Sequence, residues 1–145
     1  MKYLNTYLYF IVYCIVLGYI VFIHGIRDRI TVEIRDDFLN IIPFAYTYMD
    51  FSILMRYGLK GHTNVLYNTF GNILLFIPFS FLLICKNKGD HVFKIISLGI
   101  FVSATIECLQ YIFLIGITDI DDLILNTLGL CIGAVLAVKY IRYFH

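Results

Sequence analysis

Amide and carboxyl side chains recur at helical spacing inside long apolar stretches of this chain. Asn64, Asn68 and Asn72 are four residues apart, which places them on one face of a helix. Glu107 and Gln110 are three residues apart in the next apolar stretch. Side chains of these types donate and accept hydrogen bonds, and a carboxyl can also hold a proton or a cation. The spacing therefore predicts polar faces on helices that are otherwise apolar.

Three aspartates, Asp119, Asp121 and Asp122, stand just ahead of the last apolar stretch, and Asn126 follows one helical turn later. An acid at this position can accept the unpaired backbone N–H groups of the first helical turn, which accounts for one or two of the aspartates. Alternatively, the three aspartates and Glu107 are candidate oxygen ligands for a divalent cation. Both interpretations stay open, and no other cofactor is expected.

The composition favours a membrane protein. The chain has 145 residues, of which 61% are hydrophobic and only 14% charged, and its mean hydropathy is +0.86. Soluble domains carry about 25% charged residues. A net charge of +1 and the lack of a basic patch give no reason to expect a nucleic-acid partner. The four cysteines form no CxxC pair, so we interpret them as packing residues.

Four apolar runs are long enough to cross a bilayer, which needs about twenty residues per helix. They cover residues 3–26, 64–84, 92–116 and 123–144, joined on one side by a long outer loop at 27–63. The predicted fold is a single all-α domain over residues 1–145, a polytopic protein with four transmembrane helices. Lysines and arginines border the other side, which predicts that both termini are cytoplasmic.

The outer loop and the helix faces carry further structural signals. Pro43 can open a helix within the loop, and the apolar run after it predicts an interfacial helix on the outer leaflet. Gly129 and Gly133 form a GxxxG pattern that allows close helix packing, within the chain or in a homodimer. We also assign Gly71 to helix packing, and we expect Pro78 to kink the second span.

The polar residues of the predicted helices lie at similar depths below the outer membrane surface, within one leaflet. At a rise of about 1.5 Å per residue, Asn72 lies roughly 12 Å, Glu107 roughly 13 Å and Gln110 roughly 9 Å below the outer surface. Unpaired polar groups are costly in hydrocarbon, so these side chains should face one another. The sequence predicts one buried polar cluster made of Asn68, Asn72, Glu107, Gln110, Asp119, Asp121, Asp122 and Asn126.

The order of these residues resembles that of the VanZ-like membrane proteins. The resemblance is carried by the runs NTFGNILLFIPFSFLL and ATIECLQYIFLIGITDIDDLILNTLGLCIGAVL and, more loosely, by RDDFLNIIPF. The matching positions are Asn40, Pro43, Phe44, Asn68, Gly71, Asn72, Phe76, Pro78, Glu107, Gln110, Asp119, Asp121, Asp122, Asn126 and Gly129. Two positions depart from the family pattern: Thr118 stands in a segment where an arginine often precedes the aspartates, and Ser80 replaces a glycine.

The resemblance implies a bacterial cytoplasmic membrane protein linked to resistance against glycopeptide antibiotics of the teicoplanin type. A first hypothesis is that the polar cluster binds a lipid-linked cell-wall precursor, an anionic head group or the antibiotic itself. A second is a metal-assisted membrane enzyme acting on a lipid phosphate or cell-wall intermediate, although no known catalytic motif supports it. A third is a small transporter or a structural membrane partner.

Overall fold

The computed structural model describes the main chain of residues 2–32, 39–44, 48, 51–52, 55–56, 63–115 and 118–144, and their side chains apart from residues 2–6, 23–32 and 63–68. Within these ranges lie four long helices, α1 (Lys2–Val32), α2 (Thr63–Lys86), α3 (Val92–Phe113) and α4 (Ile120–Phe144). Two short strands, β1 (Leu39–Asn40) and β2 (Thr118–Asp119), pair in parallel. The predicted all-α class is confirmed, since the strands have only two residues each.

Three helices are long and apolar enough to cross a membrane: Thr69–Lys86 within α2, Val92–Phe113 and Ile120–Phe144. In α1 the described apolar stretch, Tyr7–Phe22, is shorter. The three spans agree with the sequence expectation, and the fourth stays a prediction.

Some helix limits differ from those that hydropathy predicts. Helix α1 continues to Val32, past the predicted end at 26, because helical hydrogen bonding does not have to stop where the apolar residues stop. Helix α3 ends at Phe113 instead of 116, because Leu114 adopts a left-handed conformation with φ 53°. The N–H of Ile115 then donates to the carbonyl of Gln110 at 2.9 Å, closing the helix.

Helices α2 and α4 pack most closely, along the glycine face of α4. A side chain at Gly129 would meet the main-chain carbonyl oxygen of Ile73, and one at Gly133 would meet that of Ile77 and the hydroxyl of Ser80. Ser80 is fully buried, and its hydroxyl donates to the Leu130 carbonyl at 2.8 Å. Both glycines are buried within the chain. Within the chain this glycine face packs against α2, and the homodimer stays a prediction.

The other two residues assigned to packing both lie within α2. Pro78 lies inside the helix, which continues to Lys86. Among the described residues, no atom lies within 4 Å of a Cβ built on Gly71. The described surroundings of Gly71 therefore do not require a glycine.

Two apolar clusters hold the helices together. The first joins α1, α2 and α4 through Leu17, Phe76, Phe79 and Leu130. The second joins α2, α3 and α4 through Ile84, Ile95, Ala134 and Ala137. Helix α1 is also fastened to α2 by the hydroxyl of Tyr13, which donates to the Leu75 carbonyl at 2.7 Å.

Contacts between helix ends show which ends lie together. The Lys86 ammonium lies 3.8 Å from the centre of the Tyr7 ring, which joins the end of α2 to the early part of α1. At the same end, a Cβ on Gly89 would lie 3.7 Å from Ile141. The pairing of β1 with β2 lies at the opposite end of α4. The polar and basic ends of the helices are thus separated.

The outer loop is described only in part. Five of its described residues have helical main chain and exposed side chains: Tyr48, Phe51, Ser52, Met55 and Arg56. The residues between them lie outside the described part of the chain, so the interfacial helix stays a prediction.

Candidate functional site

A two-residue strand fastens the outer loop to the start of α4. Leu39 pairs with Thr118, and Asn40 pairs with Asp119. The Asn40 side chain is 6% exposed, and its amide donates to Asp119 Oδ1 at 2.9 Å. Its own oxygen accepts the N–H of Ile42 at 3.2 Å, a turn typical of asparagine. Asn40 therefore fixes both the loop and the first of the three aspartates.

Each aspartate accepts a hydrogen bond from a different part of the chain. Asp119 Oδ1 accepts the N–H of Asp121 at 2.9 Å, which is a helix-capping contact. Asp121 Oδ1 accepts the N–H of Phe44 at 2.7 Å. Asp122 Oδ1 accepts the side-chain amide of Asn72 at 2.5 Å. Capping thus accounts for Asp119, while the other two aspartates bind the outer loop and α2.

The protonation of Asp119 reflects these surroundings. Burial raises the pKa of the Asp119 carboxyl above its usual range, because the charged form loses its hydration. The N–H of Asp121 and the amide of Asn40 favour the charged form and oppose this rise, while the nearby charge of Asp121 adds to it. Desolvation is the largest of these effects.

Two buried oxygen atoms lie between α3 and α4 without a donor among the described residues. Glu107 is 8% exposed and Asn126 is 4% exposed. The Asn126 amide nitrogen donates to the Ser103 hydroxyl at 2.9 Å. Glu107 Oε2 and Asn126 Oδ1 have no hydrogen-bond partner within the part of the chain that the structure describes. Ser103 precedes Glu107 by about one helical turn, so both oxygens belong to one region of the helix interface.

Glu107 faces the start of α4. The main-chain N–H of Asp119 is directed at its carboxyl, and the Asp122 and Asp119 carboxyls lie near enough to act on it electrostatically. The Thr118 hydroxyl donates to the main-chain carbonyl of Glu107 at 3.4 Å. The three aspartates and the deepest acid of the chain therefore lie at one end of the helices.

The predicted site residues fall into three groups. Six of them meet where α2, α3 and α4 come together, and they are Asn72, Glu107, Asp119, Asp121, Asp122 and Asn126. Gln110 is half-buried, and its main-chain carbonyl closes α3. The side chain of Asn68 lies outside the described residues. Among the described residues, no group of three or more His, Cys, Asp or Glu side chains is placed to hold a metal ion.

Sequence reasoning did not assign Asn40 and Ser103 to the site. Asn40 lies in the run RDDFLNIIPF, but its contact with Asp119 joins residues 79 apart in sequence. Ser103 lies one turn before Glu107, and that spacing is the signal that points to it. We call the full set the polar cluster: Asn40, Asn72, Ser103, Glu107, Asp119, Asp121, Asp122 and Asn126.

Comparison with known proteins places this arrangement in a family. The VanZ/LLP1 family profile matches residues 10–142. Over 62 residues the chain is 40% identical to Protein VanZ of Enterococcus faecium, and this match covers 43% of the chain and 38% of that relative. No solved structure matches the chain. Since the family profile spans most of its length, the chain belongs to the VanZ/LLP1 family.

Proposed function

We propose that this protein contributes to glycopeptide resistance of the teicoplanin type, or to cell-envelope physiology, by binding a ligand at the polar cluster. It does so as a multi-pass protein of the bacterial cytoplasmic membrane. The ligand is a lipid-linked cell-wall precursor or the glycopeptide itself. Membership of the VanZ/LLP1 family and three helices of membrane-spanning length support this proposal.

The observation that carries the proposal is the pair of unpartnered acceptors, Glu107 Oε2 and Asn126 Oδ1. Leaving a buried acceptor unpaired costs about 1–3 kcal/mol, and more for a charged group. The remainder of the cluster is held by hydrogen bonds between loop, α2 and α4. An ordered frame around unsatisfied acceptors is the arrangement expected of a site that completes its hydrogen bonds with a ligand.

The distribution of basic residues supports the proposed orientation. Five basic residues lie near the ends of α2 and α4 and the start of α3, away from the polar cluster. They are Lys86, Lys88, Lys94, Lys139 and Arg142. Positively charged residues accumulate on the cytoplasmic side of membrane proteins. With four spans and both termini in the cytoplasm, the polar cluster lies toward the outer leaflet, where cell-wall precursors and antibiotics meet the membrane.

A susceptibility experiment tests this function. A strain deleted for the protein is complemented with the wild type, Glu107→Gln or Asp90→Asn, and its susceptibility to teicoplanin is measured with membrane abundance checked by immunoblot. Asp90→Asn is the matched control, because it makes the same carboxyl-to-amide change at an exposed position in the turn between α2 and α3. Glu107→Gln should abolish resistance at normal abundance, while Asp90→Asn should leave it unchanged. Full resistance with Glu107→Gln would refute the proposal.

A further inference from the structure

Because the ionisable groups of the polar cluster are all carboxyls and its two unpartnered atoms are both acceptors, we propose that its ligand group is a protonated amine. This inference rests on the proposed function, since it names the chemistry that the same site recognises. A cationic ligand group replaces the anionic head group that the sequence analysis considered. The two unpartnered acceptors would be satisfied by the N–H groups of the ammonium, and its charge would be balanced by the carboxyls.

Among the described residues, two buried oxygens of the cluster have no hydrogen-bond donor. Glu107 Oε2 and Asn126 Oδ1 are both acceptors, and both are buried beyond nine-tenths. An anionic group brings further acceptors and would leave both oxygens unpaired. An ammonium group carries three donors and no acceptor. The need for donors therefore favours an amine over a phosphate or a carboxylate.

The charges around Glu107 lead to the same conclusion. Among the described residues, the charged groups that act on its carboxyl are two other carboxyls, those of Asp122 and Asp119. Like charges repel an anion in a region of low dielectric, and they attract a cation. No three metal-binding side chains converge in the described part of the chain. An organic cation with N–H donors therefore fits better than a divalent metal ion.

An amine can reach the cluster as part of a lipid or of a soluble molecule. An apolar groove of about 390 Å³ lies between α1, α2 and α3, with Phe10, Cys14, Gly18, Phe79, Val102 and Ile106 among its lining residues. Ile106 directly precedes Glu107 in α3. A lipid-borne amine would place an acyl chain in this groove, whereas a soluble amine would not need it. Gly18 offers a way to separate these cases, because a Cβ there meets no described residue within 4 Å.

The first experiment uses soluble amines. Thermal unfolding of the full chain in detergent is followed by circular dichroism with methylammonium or tetramethylammonium chloride at equal ionic strength. Both ions carry one positive charge, but tetramethylammonium has no N–H donor. Methylammonium should raise Tm by about 3–6 °C for each tenfold increase in concentration above its Kd, and tetramethylammonium should not. Glu107→Gln should remove this difference, while Asp90→Asn should keep it.

The second experiment uses lipids as the source of the amine. Phosphatidylethanolamine, which has a primary ammonium, is compared with phosphatidylcholine, in which the nitrogen is trimethylated. Binding is measured by native mass spectrometry and by Tm. A preference for phosphatidylethanolamine that disappears in both Glu107→Gln and Gly18→Phe assigns the amine to a lipid. Ile15→Phe is the control for Gly18→Phe, because Ile15 lies on α1 with 67% exposure and does not line the groove.

Each outcome decides the inference. A preference for the N–H-bearing partner that Glu107→Gln removes supports it in either experiment, and a preference that persists in Glu107→Gln contradicts it. If neither experiment shows such a preference, the inference is wrong. If Glu107→Gln does not fold, Asp122→Asn replaces it, since the new amide oxygen can still accept from Asn72 while one negative charge is lost. A resistance defect without amine preference would overturn only the inference, and amine preference with normal resistance would overturn only the proposed function.

Discussion

Replacing Gly133 with alanine should force α2 away from α4 and destabilise the protein. The added Cβ would meet two groups on α2, the main-chain carbonyl of Ile77 and the hydroxyl of Ser80. A carbonyl within a helix cannot turn aside, so one helix must shift as a whole. The same shift would strain the bond from Ser80 to the Leu130 carbonyl and move Asn72 relative to Asp122.

The expected size of the effect follows from two opposing contributions. Overpacking of a tight interface costs about 1–3 kcal/mol. Alanine is favoured over glycine inside a helix by about 0.5–1 kcal/mol. Gly71→Ala is a matched control on α2, because its Cβ would contact no described residue within 4 Å and only the favourable contribution applies. The unfolding free energies of the two variants should therefore differ by about 1–3 kcal/mol, with Gly133→Ala the less stable.

Unfolding free energies are measured by titrating the detergent-solubilised protein with sodium dodecyl sulfate while helix content is followed by circular dichroism. Equal stability of Gly133→Ala and Gly71→Ala would refute the packing argument. Size-exclusion chromatography with light scattering separates the alternative in which the glycine face joins two copies. In that case Gly133→Ala would change the mass of the particle and leave the helix content of each chain unchanged.

Three further predictions concern the contacts around the site and α1. Because the pKa of Asp119 is raised in the folded protein, its contribution to stability is full below about pH 4 and is lost as the pH rises through the folded pKa. Asp119→Asn should therefore reduce the fall in Tm as the pH rises above about 4, and an unchanged pH profile would contradict this. Asn40→Ala removes the bonds to Asp119 and Ile42, so hydrogen exchange at the Ile42 and Phe44 amides should become faster, and wild-type protection would refute the role of Asn40. Tyr13→Phe should cost about 0.5–1.5 kcal/mol of unfolding free energy through loss of the bond to Leu75, and a variant as stable as wild type would show that bond to be unimportant.

Hydropathy and helical periodicity predicted much of this fold, because burial in lipid imposes long apolar runs. The ends of the helices were less predictable. Leu114 ends α3 in a left-handed conformation that usually favours glycine, so no residue type marked that end. The GxxxG pattern on α4 predicted close packing, but the pattern is the same for a neighbouring helix and for a second copy. In the structure the glycines face Ile73 and Ile77 of α2, and sequence spacing along α4 carries no information about those residues.

The candidate site was predictable where position along a helix sets the depth of a side chain, as for Glu107 on α3 and Asn126 on α4. It was not predictable where the outer loop returns to the cluster. Asn40 reaches Asp119 through a two-residue strand, which is too short to produce an alternating pattern in the sequence. The three aspartates looked alike as helix caps or metal ligands, and only the separate donors from Asp121, Phe44 and Asn72 distinguish them.

These donors also separate the structural acids from the acid that we assign to ligand binding. Asp119 and Asp122 accept hydrogen bonds that hold the loop and α2 to α4, and an asparagine at either position could accept the same bonds. Glu107 Oε2 and Asn126 Oδ1 hold no other part of the described chain through a hydrogen bond. A change at Glu107 should therefore alter recognition more than stability, whereas changes that remove the oxygens of Asp119 or Asp122 should loosen the frame itself. This division predicts that amide substitutions will impair function most at Glu107, whose Oε2 has no donor among the described residues.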